Sequence, residues 1–141
     1  MKRIIFLSLM VALIMGSCSP EKKSPVEGTW NMIYGSWNSF DKTFPADLDG
    51  GQIKMYTKHY FSHVGQFKAD SIMDNHGCGS YALNGNQFEE TIIYRYGGTD
   101  QGEKIKLLLD VQNDTLTIRW PVDENWNLAE NFSIEKYVRL D

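Results

Sequence analysis

Asn84-Gly85, set between two runs of apolar and β-branched side chains, constrains this chain more than any other feature. Both central residues of a type I′ turn need positive φ, and Asn-Gly supplies it readily, so Cys78–Leu83 and Gln87–Tyr96 are expected to be antiparallel neighbours. The same pattern recurs from Gly28 onward: short runs rich in Ile, Val, Tyr, Phe, Trp and Thr, punctuated by Gly, Asn and Asp. The remaining expected strands are Gly28–Trp37, Gln52–Tyr56, His59–Phe67, Lys104–Val111, Thr115–Trp120 and Phe132–Leu140. No run sustains a 3.6-residue period, and one helical turn at most is expected, over Trp126–Asn131. Pro121 is expected to stop its strand, because it cannot donate to a central ladder. Consecutive strands joined by tight turns make a meander, and a meander of about eight strands hides its edges most simply by closing on itself. The expected fold is therefore all-β, an antiparallel up-and-down β-barrel.

What precedes that pattern reads as an address. Lys2 and Arg3 lead into an apolar run from Ile4 to Met15 that ends in Gly16-Ser17, the layout of a secretory leader over residues 1–17. The run is about a dozen residues, short of the about 20 needed to span a bilayer. Leu13-Ile14-Met15-Gly16-Ser17-Cys18 resembles a bacterial lipobox. That resemblance implies cleavage before Cys18 and lipidation of its thiol, which would hold the protein on a membrane of the cell envelope, the outer membrane facing the periplasm. Residues 18–27, polar and holding Pro20 and Pro25, read as a flexible tether, and residues 28–141 as a single domain.

Charge excludes one class of partner. Loss of Lys2 and Arg3 with the leader takes the formal charge from −4 to −6, and no basic face remains to neutralise phosphates, so nucleic acid is not an expected partner. A lipidated Cys18 leaves Cys78 alone, flanked by glycines and with no adjacent Lys or Arg to stabilise a thiolate; it reads as a small apolar residue.

Gly28-Thr29-Trp30 on the first strand and Tyr137-Val138-Arg139 on the last resemble the lipocalin signature. Gln52-Ile53-Lys54-Met55, Tyr81-Ala82-Leu83-Asn84-Gly85-Asn86 and Glu89-Glu90-Thr91-Ile92 are similar to stretches of lipocalin-like domains in small bacterial lipoproteins. The resemblance implies that Gly28, Trp30 and Arg139 close one end of the barrel, the guanidinium lying across the indole. Read physically, Trp30 is a large apolar plug on whose face a guanidinium can stack.

Of the many aromatic residues, Tyr34, Tyr60, Tyr81, Tyr94 and Trp120 are the candidates to line a cup for a small apolar or aromatic ligand, with Trp37 and Phe40 flanking its mouth. Glu90 joins them if Phe88, Ile92 and Tyr94 line the interior, as a group that orients ligand or makes a buried hydrogen bond. His59 and His63, about 13 Å apart on a strand, are too far apart to share a metal, and no cofactor motif is present. No Ser/His/Asp, Cys/His or paired-carboxylate arrangement declares itself, so a non-enzymatic role is expected. Two readings stay open beside the ligand binder: a protein-interaction or envelope-assembly module with a filled barrel, whose loops Asp41–Gly51 and Lys68–His76 meet a partner of unknown identity, and, less favoured, a hydrolase or isomerase.

Overall fold

A computed structural model describes residues 23–39, 41–98 and 101–141. The leader, Cys18 and Phe40 lie outside the described residues. Nine strands follow one another: β1 Gly28–Trp37, β2 Lys42–Phe44, β3 Asp49–Tyr56, β4 Tyr60–Lys68, β5 Ile72–Asn84, β6 Gln87–Arg95, β7 Lys104–Gln112, β8 Thr115–Val122 and β9 Leu128–Arg139. Each pairs antiparallel with its neighbour from β3 to β9, and β1 pairs with both β3 and β9. Eight strands thus close into a barrel, leaving no free edge in the ring. The ninth, β2, lies on β1 beyond β3, through Gly35↔Phe44, Ser36↔Thr43 and Trp37↔Lys42.

Several local expectations give way. The turn after β5 centres on Gly85-Asn86, one residue later than the Asn84-Gly85 reading, since Asn84 still pairs with Gln87. Gly85 has φ 62° and Asn86 is not among the positive-φ residues, the arrangement of a type II′ turn with glycine first. The polar stretch from Lys68 to His76 is mostly strand. Its ladder reaches Lys68↔Ile72 and Gln66 donates to Asp74 at 2.7 Å, because polar side chains cost nothing at a rim that is wet on both faces. The helical turn expected over Trp126–Asn131 does not form: Trp126 has φ 67° and β9 begins at Leu128. Pro121 does not end β8; it sits in a register shift between Trp120 and Val122, where a missing N–H is tolerated.

Inward-facing positions divide the interior by chemistry. Trp30 and Met32 on β1, Phe88 and Ile92 on β6, Leu107 and Leu109 on β7, and Leu116 and Ile118 on β8 are apolar. The strands to either side of β1, namely β9 on one and β3, β4 and β5 on the other, supply the polar groups Gln52, Lys54, His63, Asn75, Glu135 and Tyr137.

One end of the barrel is sealed. Trp30 is 0 % exposed, donates its indole N–H to the Val26 carbonyl at 2.8 Å, and lies 4.0 Å from ring centroid to the Arg139 guanidinium carbon. Arg139 also donates to the carbonyls of Glu27 at 2.5 Å and Pro25 at 2.9 Å. Gly28 has φ 132°, and a Cβ there would run into the Arg139 guanidinium; only glycine fits both conditions.

Candidate functional site

At the other end, β2 and the β4–β5 hairpin rise on two sides of Trp37 and enclose a cavity of about 390 Å³. Trp37, Leu48, Phe67, Ala69 and Met73 supply apolar walls, Asn75 a polar one, and Lys42, Asp70 and Asp74 carry charge. The chain folds this way for local reasons. Asp47 accepts from the backbone N–H and hydroxyl of Thr43, both at 2.8 Å, which tightens the turn after β2 and presents Phe44 and Leu48 inward. Phe67 then meets Phe44 and Trp37 edge-on, at centroid separations of 5.6 and 5.5 Å.

Trp37 is held in one orientation. Its ring folds back over Gly35, where a Cβ would stand 2.5 Å from the ring, and its indole N–H donates to Glu135 Oε1 at 3.0 Å. Glu135 also meets Lys54 Nζ at 3.1 Å and accepts from the Tyr137 hydroxyl at 2.6 Å. Burial works to raise the Glu135 pKa, but the Lys54 charge and the hydrogen bonds from Tyr137, Trp37 and Lys54 outweigh it and hold the carboxyl below its ordinary range. Gln52 donates to the Tyr137 oxygen at 2.6 Å, Asn75 donates to Gln52 Oε1 at 2.5 Å, and His63 Nε2 lies 3.2 Å from Asn75 Oδ1. Burial first, and the Lys54 charge second, lower the His63 pKa to about 4, so the ring is neutral at physiological pH.

Glu90 lies inside with Phe88 and Ile92, buried at 7 % exposure. Among the described residues no hydrogen bond or ion pair reaches its carboxyl. Burial raises its pKa to about 7, with Lys54 pulling down and Glu135 pushing up. The buried Tyr56 hydroxyl has no partner among the described residues, and burial together with the Glu90 and Glu135 charges holds its pKa well above the usual tyrosine value. Arg95 pairs with Glu103 at 3.0 Å, and among the described residues Lys54 is the cation paired with a carboxylate inside the barrel.

The aromatic candidates separate. Trp120 and Tyr81 pack against the core, but Tyr81 does so at the sealed end, stacked on Phe88 at 4.9 Å and donating to the Thr57 carbonyl at 2.6 Å. Tyr34, Tyr60 and Tyr94 do not line the interior; they are 37, 58 and 65 % exposed on the outer surface. Two bulges explain two of them. A register shift between Met32 and Tyr34, and one on β6 where Cys78 pairs with Tyr94 but Gly79 with Ile92, each insert one residue and turn the next aromatic outward. Tyr60 is out because Phe61, His63 and Phe67 set the inward phase of β4.

Sequence reading missed Gln52, Lys54, Asn75, Glu135 and Tyr137 as interior groups. Period-2 alternation with Trp30 and Tyr56 would have found Lys54, which pairs with Trp30 across the ladder. Among the described residues no three His, Cys, Asp or Glu side chains stand where they could hold a metal ion. Neither a family model nor a curated protein sequence matches the chain.

Proposed function

We propose that the protein is a lipid-anchored, lipocalin-like barrel of the bacterial envelope that holds a small, partly apolar molecule in its open end without transforming it. The cavity at Trp37 carries this reading: about 390 Å³ falls within the range of about 300–1,000 Å³ typical of small-molecule sites, and apolar walls joined by a few polar and charged groups match their usual make-up. The Trp30–Arg139 stack, the element of the sequence closest to the lipocalin signature, supports the family reading. Chain entry supports the anchored topology. Pro25 and Glu27 are bound to Arg139 at the sealed end, so a tether from a lipidated Cys18 would leave that end toward the bilayer and keep the cavity facing away.

A binding role suits the interior better than catalysis. The polar groups that meet at hydrogen-bond distance there, Lys54, Glu135, Tyr137, Gln52, Asn75 and His63, are engaged with one another, and no activated nucleophile stands among them. A protein-contacting role is the second reading, favoured by the exposed Met55, Tyr60, Val64 and Tyr94 on β3, β4 and β6.

Native mass spectrometry of protein purified from its own cells tests the first reading, with a retained small molecule as the expected result. An empty barrel under several growth conditions, together with a co-purifying protein, favours the second. Anchoring is tested separately: lipid-precursor labelling should mark the wild type, globomycin should block its maturation, and Cys18→Ala should release it from the membrane fraction.

A further inference from the structure

The polar row inside the barrel has a direction, and its anionic member sets it. Glu135, ionised beside Lys54, can only accept. Tyr137 must therefore donate its hydroxyl proton to Glu135, which leaves the phenol oxygen to accept from the Gln52 NH₂. Gln52 then turns its carbonyl oxygen to Asn75, which must answer with its own NH₂. Asn75 Oδ1 is left facing His63 Nε2, and two acceptors cannot share a hydrogen bond, so the neutral ring carries its proton on Nε2. One carboxylate thus fixes the orientation of two amides and the tautomer of a histidine, assignments that follow from the network as a whole.

Two residues bonded into the row reach the cavity, Trp37 and Asn75. Trp37 has its N–H committed to Glu135 and offers the cavity ring carbons alone. Asn75 lines the cavity and uses one of its two Nδ2 hydrogens on Gln52; among the described residues the second has no acceptor.

We propose that the cavity selects apolar molecules that carry a hydrogen-bond acceptor, a carbonyl or ether oxygen, which takes the second N–H of Asn75 while the body rests against Trp37 and Phe67. The proposal rests on the binder reading and narrows it. A pure hydrocarbon would leave the amide N–H desolvated and unpaired, which is costly.

Two probes of matched shape test it: 2-acetylnaphthalene and 2-isopropenylnaphthalene, which differ by C=O against C=CH₂, titrated calorimetrically into wild type and Asn75→Leu. The ratio of ketone to alkene affinity should fall by about fivefold in the variant, the size of one net hydrogen bond. An equal ratio in both proteins, with both probes bound, overturns the donor assignment and leaves the binder reading standing. Failure of both probes to bind wild type overturns the binder reading and this proposal with it, and an alkene that binds where the ketone does not overturns the donor assignment. A second measurement needs no variant: ¹⁵N spectroscopy of the His63 imidazole at neutral pH should place the proton on Nε2. A proton on Nδ1 overturns the direction of the row.

Discussion

Lys54 and Glu135 meet at 3.1 Å inside the barrel, their side chains 11 and 6 % exposed. They join β3 to β9 without being ladder neighbours, since β1 runs between those strands. A cation and an anion taken out of water together hold each other in the charged state, and the anion then orders everything hydrogen-bonded to it.

Lys54→Met should destabilise the protein by about 3–5 kcal/mol near pH 7, because it strands a buried carboxylate. The double variant Lys54→Met/Glu135→Leu should recover part of that loss. Urea unfolding midpoints of the single and double variants check both statements.

Trp30→Ala should cost about 3–5 kcal/mol, the range for a fully buried aromatic. Arg139→Met, which keeps the apolar stem but loses the charge over the ring, should cost about 1–2 kcal/mol. Chemical denaturation measures both, and the order of the two losses is the informative result.

Glu90 should make stability fall as pH rises. Its folded pKa of about 7 exceeds the ordinary 4.5 of a free glutamate, so the folded state holds the proton more tightly. Its contribution is complete below about pH 4.5 and is lost as pH climbs toward 7. The loss is of order 3 kcal/mol. Glu90→Gln should abolish that decline, seen as a flatter profile of unfolding free energy between pH 5 and 7.

His63 acts on the acid side with the opposite sign. Its folded pKa of about 4 lies below 6.5, so the unfolded chain binds the extra proton, and stability is lost as pH falls through that window, by up to about 3 kcal/mol. His63→Phe should remove this sensitivity, measured as the difference in urea midpoint between pH 4.5 and 7.5 for variant and wild type.

Gly35→Ala should disturb the cavity more than the fold. The added methyl falls on the Trp37 ring, which must swing away and lose its hydrogen bond to Glu135. The expected outcome is at least tenfold weaker binding of 2-acetylnaphthalene with a stability loss of about 1–3 kcal/mol, the cost of overpacking. Calorimetric titration and denaturation separate the two effects.

The barrel was readable because tight turns and alternating β-rich runs leave few other ways to satisfy a backbone; β1 has the bounds expected for it. The site was less readable, for two physical reasons. Bulges on β1 and β6 break the alternation that placed Tyr34 and Tyr94 inside, and nothing local in Ile33 or Ile93 announces them. A buried charge also looks like a surface charge until its partner is known. Lys54 and Glu135 are far apart in the chain, and only the closed ring brings them together. Glu90, by contrast, could be placed by counting from Phe88 and Ile92.

Because the opening strand bonds along its length to the final one, with Trp30 opposite Arg139 and Ser36 opposite Ile134, the ring stays unlatched until the last dozen residues are available. A polypeptide cut short before Leu128 would present two raw ladders, those of β1 and β8, to any passing chain. The final segment is thus the clasp of the molecule, and damage confined to it should surface as clumping rather than as a modest drop in melting temperature.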